Sequence, residues 1–266
     1  MKDFEQILHK YPDKISVLPA ILTLANAVCG TFAILSALSL DFERSAYYII
    51  FSLIFDALDG KISRLTKTAS QFGIQLDSLA DVISFGLAPA IISWVFLDVE
   101  NYLNINIQNG IAIIYICCAI IRLAKFNVET DTSEESHLFF KGLPSPGAAL
   151  FVIFNLLFLH NLLNFHLQHQ FVEYLVVIYK YLLPIIIFIS GILMITNIRY
   201  VHIFNISLTG KKSKKNFIKI VMLLSLITIK PLWSFFLLSW AFVLYPLYCR
   251  YISVYKKKQE LGVPTL

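Results

Sequence analysis

The chain has 266 residues, 58% hydrophobic and 15% charged, with 22 Phe, 13 Tyr and a net charge of +5. Soluble domains hold about 45–50% apolar and about 25% charged residues, and a water-exposed protein of this size has no interior able to hide the excess. That composition excludes a soluble enzyme, a disordered chain and a disulfide-built secreted domain, and it describes an integral membrane protein. The positive charge does not point to nucleic acid, because the basic residues sit between apolar runs, where they set orientation in the bilayer.

In chain order, residues 1–16 form a polar cytoplasmic or interfacial segment with no cleavable signal pattern. A helix needs about 20 apolar residues to cross about 30 Å of hydrocarbon. Runs at 17–40, 45–64, 78–98, 109–126, 144–163 and 172–197 predict six spans in a core covering 17–200. A basic loop over 201–215 follows. Two tighter runs at 216–230 and 232–253, divided by Lys230-Pro231, predict a C-terminal helix pair before a cytoplasmic tail at 254–266. The expected fold is all-α and polytopic, with about eight transmembrane helices. If the N-terminus is cytoplasmic, 19 of the 22 Lys and Arg fall on that side, so the positive-inside rule places both termini in the cytoplasm. Cys29, Cys117, Cys118 and Cys249 lie within apolar segments without metal-ligand spacing and read as small apolar fillers.

The second and third spans break the apolar rule in a patterned way. Asp56 and Asp59 share a helix face, Gly60 and Arg64 follow at the cytoplasmic end, and Gly73, Asp77 and Asp81 recur every four residues with Ser84 continuing the stripe. An antiparallel hairpin turning near Lys67 to Gln71 brings the four carboxylates together. An ionised Asp at mid-membrane costs about 2.5–3.5 kcal/mol, and four close carboxylates repel one another unless compensated. Two divalent cations, Mg²⁺ or Mn²⁺, neutralise such a set and leave an electrophilic site for a phosphate-bearing substrate, with Arg64 as a phosphate clamp. For two carboxylates at this spacing alone, a solvated cap or an ion pair is the better reading; four Asp, two Gly and one Arg on one hairpin are harder to explain so.

The segment from Asp56 to Asp81 resembles the signature of the CDP-alcohol phosphotransferases, D-x2-D-G-x2-A-R-x8-G-x3-D-x3-D, with seven of eight defined positions in register and Ser63 replacing Ala. The resemblance implies a six-helix catalytic core, to which this chain adds two C-terminal helices. It implies transfer of a substituted phosphate from a CDP-linked donor to an alcohol, with release of CMP. Asp56, Asp59 and Asp77 would ligate two metal ions, and Asp81 would lie beside them as a further ligand and as general base. Asp59, Gly60, Ser63, Arg64 and Gly73 would form the CDP and phosphate site. A homodimer in the bilayer is also implied.

Text overlapping and extending beyond the signature resembles the serine-using branch of that family. It comprises Leu18-Pro19 to Asn26, Cys29-Gly30, Asp77 to Ala90, Arg122 to Asn127, Gly142 to Pro146 and Asn197 to Tyr200. This likeness implies CDP-diacylglycerol and L-serine as substrates. Serine is a water-soluble zwitterion, so its site must open to the cytoplasm and offer a cation to its carboxylate. Ser78, Ser84, Arg122, Lys125, Asn127 and Lys141 are the candidates, although Lys125 and Lys141 read equally as topological anchors. Glycerol phosphate, inositol phosphate or choline as acceptor, and an archaeal-type lipid as donor, stay open at this point. A divalent-cation transporter is the rival from a different class, opposed by Arg64 and by the single occurrence of the cluster. His160, His166 and His169 in an outer loop, and the run Lys211 to Lys219, carry no assigned chemistry.

Overall fold

In a computed structural model of the chain, the described residues are 17–66, 70–101, 103–130, 139–164, 170–201 and 231–260. Seven helices account for nearly all of them. The first, α1 (Val17–Leu38), turns inside out the pattern of a soluble helix: Thr23, Asn26, Gly30, Ala33 and Ala37 are buried, while Leu18, Ile21, Leu24, Val28, Phe32 and Leu35 are exposed. Large apolar groups face outward where lipid lies, and small or polar residues face the bundle, where they let backbones approach closely. Asp41 opens α2 (Phe42–Thr66): its carboxylate accepts from Arg44 N at 2.9 Å and pairs with Arg44 Nε at 3.2 Å. The two helices pack along much of their length as an antiparallel pair.

A second hairpin joins α2 to α3 (Gln71–Val99). Ser70 caps α3 through its hydroxyl, which accepts from Gly73 N at 3.0 Å, so the helix starts seven residues before the apolar run predicted at 78–98. The sequence hides this start because Gln71, Gln75 and Asp77 dilute hydropathy. Directly after Asp81, residues Val82–Leu87 form a π-helical turn before α-geometry resumes over Ala88–Val99. At this turn α1 approaches closely. A Cβ added to Gly30 would stand 2.7 Å from Ser84 Cα, a distance that only a glycine avoids.

Next come α4 (Ile105–Thr130), α5 (Ser145–Asn164), α6 (Gln170–Ile195) and α7 (Pro231–Glu260). Among the described residues six helices are long and apolar enough to cross a membrane; α2 is the exception because its charged residues lower its hydropathy. The six core spans and the last predicted span correspond to observed helices, and the run at 216–230 lies outside the described residues. So do residues 1–16, His166, His169 and Lys211 to Lys219. Buried residues run around α5, which packs against α2, α3, α6 and α7 and forms the centre of the bundle. Asn155 on α5 ties three helices: its Oδ1 accepts from Tyr179 Oη (3.2 Å, α6) and from Trp240 Nε1 (2.9 Å, α7). Around it, Phe158 stacks on Phe236 at 4.2 Å and meets Trp233 edge-on at 4.9 Å, fixing α7 to the core.

One feature departs from an all-helical reading. A short antiparallel ribbon pairs β1 (Phe139–Lys141) with β2 (Arg199–Val201), with Phe140 opposite Tyr200. Three-residue strands leave too little alternation to be read from sequence. The ribbon ends at Gly142, whose φ of +85° is the left-handed region; a Cβ there would collide with the carbonyls of Met194 and Thr196. Gly142 N bonds to Ile198 O at 2.8 Å, so the end of α6 and the start of α5 are held side by side. Tyr200 is fully buried beside Phe242, and burial pushes its phenol up to about 12, which keeps it neutral.

Candidate active site

The α2–α3 hairpin carries the site. Asp59 stands seven residues before the end of α2 and Asp77 six after the start of α3, which at about 1.5 Å per residue sets both roughly 10 Å from the hairpin tip. One carboxylate oxygen from each of Asp56, Asp59 and Asp77 lies within 4.8 Å of the others. Asp59 is buried and the other two are half-buried. Asp81 is buried one turn deeper along α3, and its oxygens fall outside that 4.8 Å set while remaining in electrostatic reach of Asp56 and Asp77.

Such a set needs a counter-charge, and side chains supply little of it. Arg44–Asp41, far away at the start of α2, is the one salt bridge among the described residues. Asp77 Oδ1 is buried without a hydrogen-bond partner. Three converging hard oxygens, one of them orphaned, are a donor set suited to Mg²⁺ or Mn²⁺. Open space adjoins them, since a methyl added to Gly60 would meet no atom within 4 Å. Arg64 is exposed one turn further on, and Ser63 is half-buried beside it.

Two polar residues of α1, which the sequence reading did not single out, complete the carboxylate surroundings. Thr23 Oγ1 lies 2.7 Å from Asp59 Oδ2 and 3.0 Å from Pro19 O, so its single proton serves one of two acceptors. Asn26 Nδ2 donates to Asp81 Oδ1 at 3.2 Å. Their spacing of three puts both on the face of α1 that meets the hairpin. An ordinary stripe of small and polar residues, the usual contact face of a membrane helix, conceals that role in the sequence.

Arg122 approaches from α4. It is half-buried, feels the charges of Asp81 and Asp56, and is held by a hydrogen bond from Nη1 to Ser145 Oγ at the start of α5. Its guanidinium also stands 5.9 Å from the Phe126 ring centroid. The other acceptor-site candidates disperse. Ser78 and Asn127 bond to each other at 2.9–3.1 Å, joining α3 to α4. Lys125 is exposed and donates to Asn197 Oδ1 at 2.9 Å. Ser84 is fully buried, with its hydroxyl donated to Asn26 O at 2.9 Å. Lys141 lies at the end of β1 opposite Arg199. Of the five whose side chains are described, Arg122 is therefore the one the structure brings to the carboxylates. His160 sits at the far end of the bundle between Phe42 and Phe96.

Four hairpin carboxylates, an adjoining open space and one inward arginine form a carboxylate-lined site in a polytopic membrane protein. Residues 16–186 match the CDP-alcohol phosphatidyltransferase family, and the chain belongs to it. It is 33% identical over 216 residues to the CDP-diacylglycerol–serine O-phosphatidyltransferase of Helicobacter pylori, covering 80% of this chain and 82% of that protein. A protein of the same name from Methanocaldococcus jannaschii is 33% identical over 203 residues, or 73% of this chain and 83% of the relative. An archaetidylserine synthase from Methanothermobacter thermautotrophicus is 37% identical over 135 residues, half of this chain and 54% of the relative.

Proposed function

We propose that the protein transfers the phosphatidyl group of CDP-diacylglycerol to the hydroxyl of L-serine, giving phosphatidylserine and CMP. The observation that carries the reading is the carboxylate triad of Asp56, Asp59 and Asp77 beside Asp81 and Arg122, in a chain whose relatives named above are all named for serine-lipid synthesis. Asp56, Asp59 and Asp77 would hold two divalent cations, with Asp81 beside them. When bound, those ions polarise the diphosphate and stabilise the departing phosphate. Gly60, beside open space, and Gly73 would line the cytidine pocket, and Arg64 would face the phosphates from the hairpin end.

The residues then divide the work. Asp81 accepts the proton of the serine hydroxyl as its oxygen bonds to phosphorus, while the phosphorus–oxygen bond to CMP breaks. A carboxylate is a weak base for an alcohol, so the proton moves as the new bond forms and not before. Arg122 offers the carboxylate of serine a charge-assisted pair, anchored from behind by Ser145. The site opens to the cytoplasm, where serine is dissolved, in keeping with the distribution of Lys and Arg. The chain works as a homodimer, closed twofold pairing being the commonest assembly.

CMP release by the purified protein tests the reading, with CDP-diacylglycerol, Mg²⁺ or Mn²⁺, and L-serine, glycerol 3-phosphate, inositol phosphate, choline or no acceptor. Serine-dependent release is expected. Release with another alcohol alone would overturn the acceptor, and better use of an archaetidyl donor would overturn the diacyl lipid.

A further inference from the structure

Asn26 occupies a position that the hairpin signature does not include, yet three helices meet on it. Its main-chain carbonyl accepts two hydroxyl protons, from Ser52 Oγ of α2 at 3.0 Å and from Ser84 Oγ of the π-helical turn of α3 at 2.9 Å. Its side chain donates Nδ2 to Asp81 Oδ1 at 3.2 Å, and both Asn26 and Ser84 are fully buried. Ser84 follows Asp81 by three residues in the same helix. The contacts therefore close a ring running from Asp81 along α3 to Ser84, across to the Asn26 carbonyl, and back through the amide to Asp81. Asp81 cannot turn about its side-chain bonds without opening that ring.

The two ends of the amide are treated unequally. Asn26 Oδ1 is buried and has no hydrogen-bond partner, whereas Nδ2 is committed to a carboxylate. An asparagine serving only to join helices would be placed to satisfy both ends, because a buried orphan acceptor is costly. The joining is done instead by the main-chain carbonyl, which any residue at position 26 would supply. Among the described residues Asp81 Oδ2 accepts no hydrogen bond, so the amide occupies one carboxylate oxygen and leaves the other for a proton.

We propose that Asn26 is a positioning residue for the transfer reaction, holding Asp81 Oδ1 so that Oδ2 faces the acceptor hydroxyl. The proposal rests on the reading of Asp81 as the general base. Removal of the amide releases rotation of the Asp81 carboxylate without touching the donor lipid or Asp56, Asp59 and Asp77, so it lowers kcat and leaves KM alone. A misplacement of about 1 Å at a reacting group costs about 100-fold in rate, and the expected fall lies between about 10- and 100-fold.

The full-length protein in detergent, assayed for phosphatidylserine formation, carries the test. Asn26→Leu and Asn26→Ala should lower kcat by that factor. The KM for CDP-diacylglycerol and the metal concentration giving half-maximal rate should stay near those of the parent, and the melting temperature should fall by no more than the loss of one buried hydrogen bond requires. Added to Asp81→Asn, the same changes should lower the residual rate no further. An unchanged kcat in a folded Asn26 variant, or a parallel rise in KM, overturns the proposal. Failure of both variants to fold overturns it as well, since the helix clamp runs through the main chain. Retained kcat in Asp81→Asn alone would instead overturn the base assignment.

Discussion

Gly60→Ala separates ligand space from folding more cleanly than any other change at the site. A methyl built on Gly60 meets no atom within 4 Å, so nothing in the folded chain resists it. Within a helix, alanine is favoured over glycine by about 0.5–1 kcal/mol, and the substituted protein should melt at the same temperature as the parent or slightly above it. The proposed site uses that same space, beside Asp59, for the cytidine diphosphate. Overfilling a close-packed site costs about 1–3 kcal/mol, which at 1.4 kcal/mol per factor of ten is about 5- to 150-fold in donor affinity. The assay is the KM for CDP-diacylglycerol at saturating serine and metal, alongside thermal unfolding in the same detergent. An unchanged KM would mean that the open space at Gly60 is not where the donor lies. A lowered melting temperature would mean that the helix environment has been misread.

Gly30→Ala should behave in the opposite way. Its methyl would lie 2.7 Å from Ser84 Cα, and ordinary carbon contacts need about 3.5–4.0 Å. Helix α1 must then withdraw by roughly 1 Å, stretching the 2.9 Å Ser84–Asn26 bond beyond hydrogen-bond range, for a combined cost of about 2–4 kcal/mol. The melting temperature and turnover should fall together; an unchanged melting temperature would contradict the close packing. Asp56→Asn should lower turnover by more than about 100-fold, since even the supporting partners of metal ligands contribute about 10–100-fold. Chelation of the parent protein should abolish turnover, with recovery on adding Mg²⁺ or Mn²⁺, and full activity in either experiment would remove the metal from the account. Asn155→Leu leaves Tyr179 Oη and Trp240 Nε1 without their shared acceptor, at about 1–3 kcal/mol for each buried donor. It should lower the melting temperature while leaving KM for both substrates unchanged; an undiminished melting temperature would show that α7 is held by its aromatic contacts alone.

The spans and the hairpin could be read from the chain because their signals are long or sharply spaced. Six apolar runs of about 20 residues, and a four-carboxylate pattern across a short polar turn, leave few alternatives. What escaped detection depends on partners distant in sequence. Thr23 and Asn26 lie 36 and 55 residues from the carboxylates they contact, and each looks like routine helix-contact polarity until α1 is docked. The π-helical turn after Asp81 has no compositional mark, yet it sets where Ser84 points, and the stripe continued from Asp77 to Ser84 in straight α-geometry does not anticipate a seryl hydroxyl given to the Asn26 carbonyl. Arg122, Lys125, Asn127 and Lys141 all sit at cytoplasmic ends in the sequence, and only its place in the motif sets Arg122 apart there. Only packing against α5 and the hairpin turns Arg122 inward while Lys125 stays at the surface.

Serine labelled with ¹⁸O at its side-chain hydroxyl tests the central claim most directly. The labelled serine is incubated with the protein, CDP-diacylglycerol and Mg²⁺ or Mn²⁺, and both products are weighed by mass spectrometry. The account predicts phosphatidylserine carrying the ¹⁸O and CMP without it, because the serine oxygen attacks phosphorus and the bond to CMP is the one that breaks. Phosphatidylserine lacking the label, or CMP formed with no serine lipid at all, would contradict it.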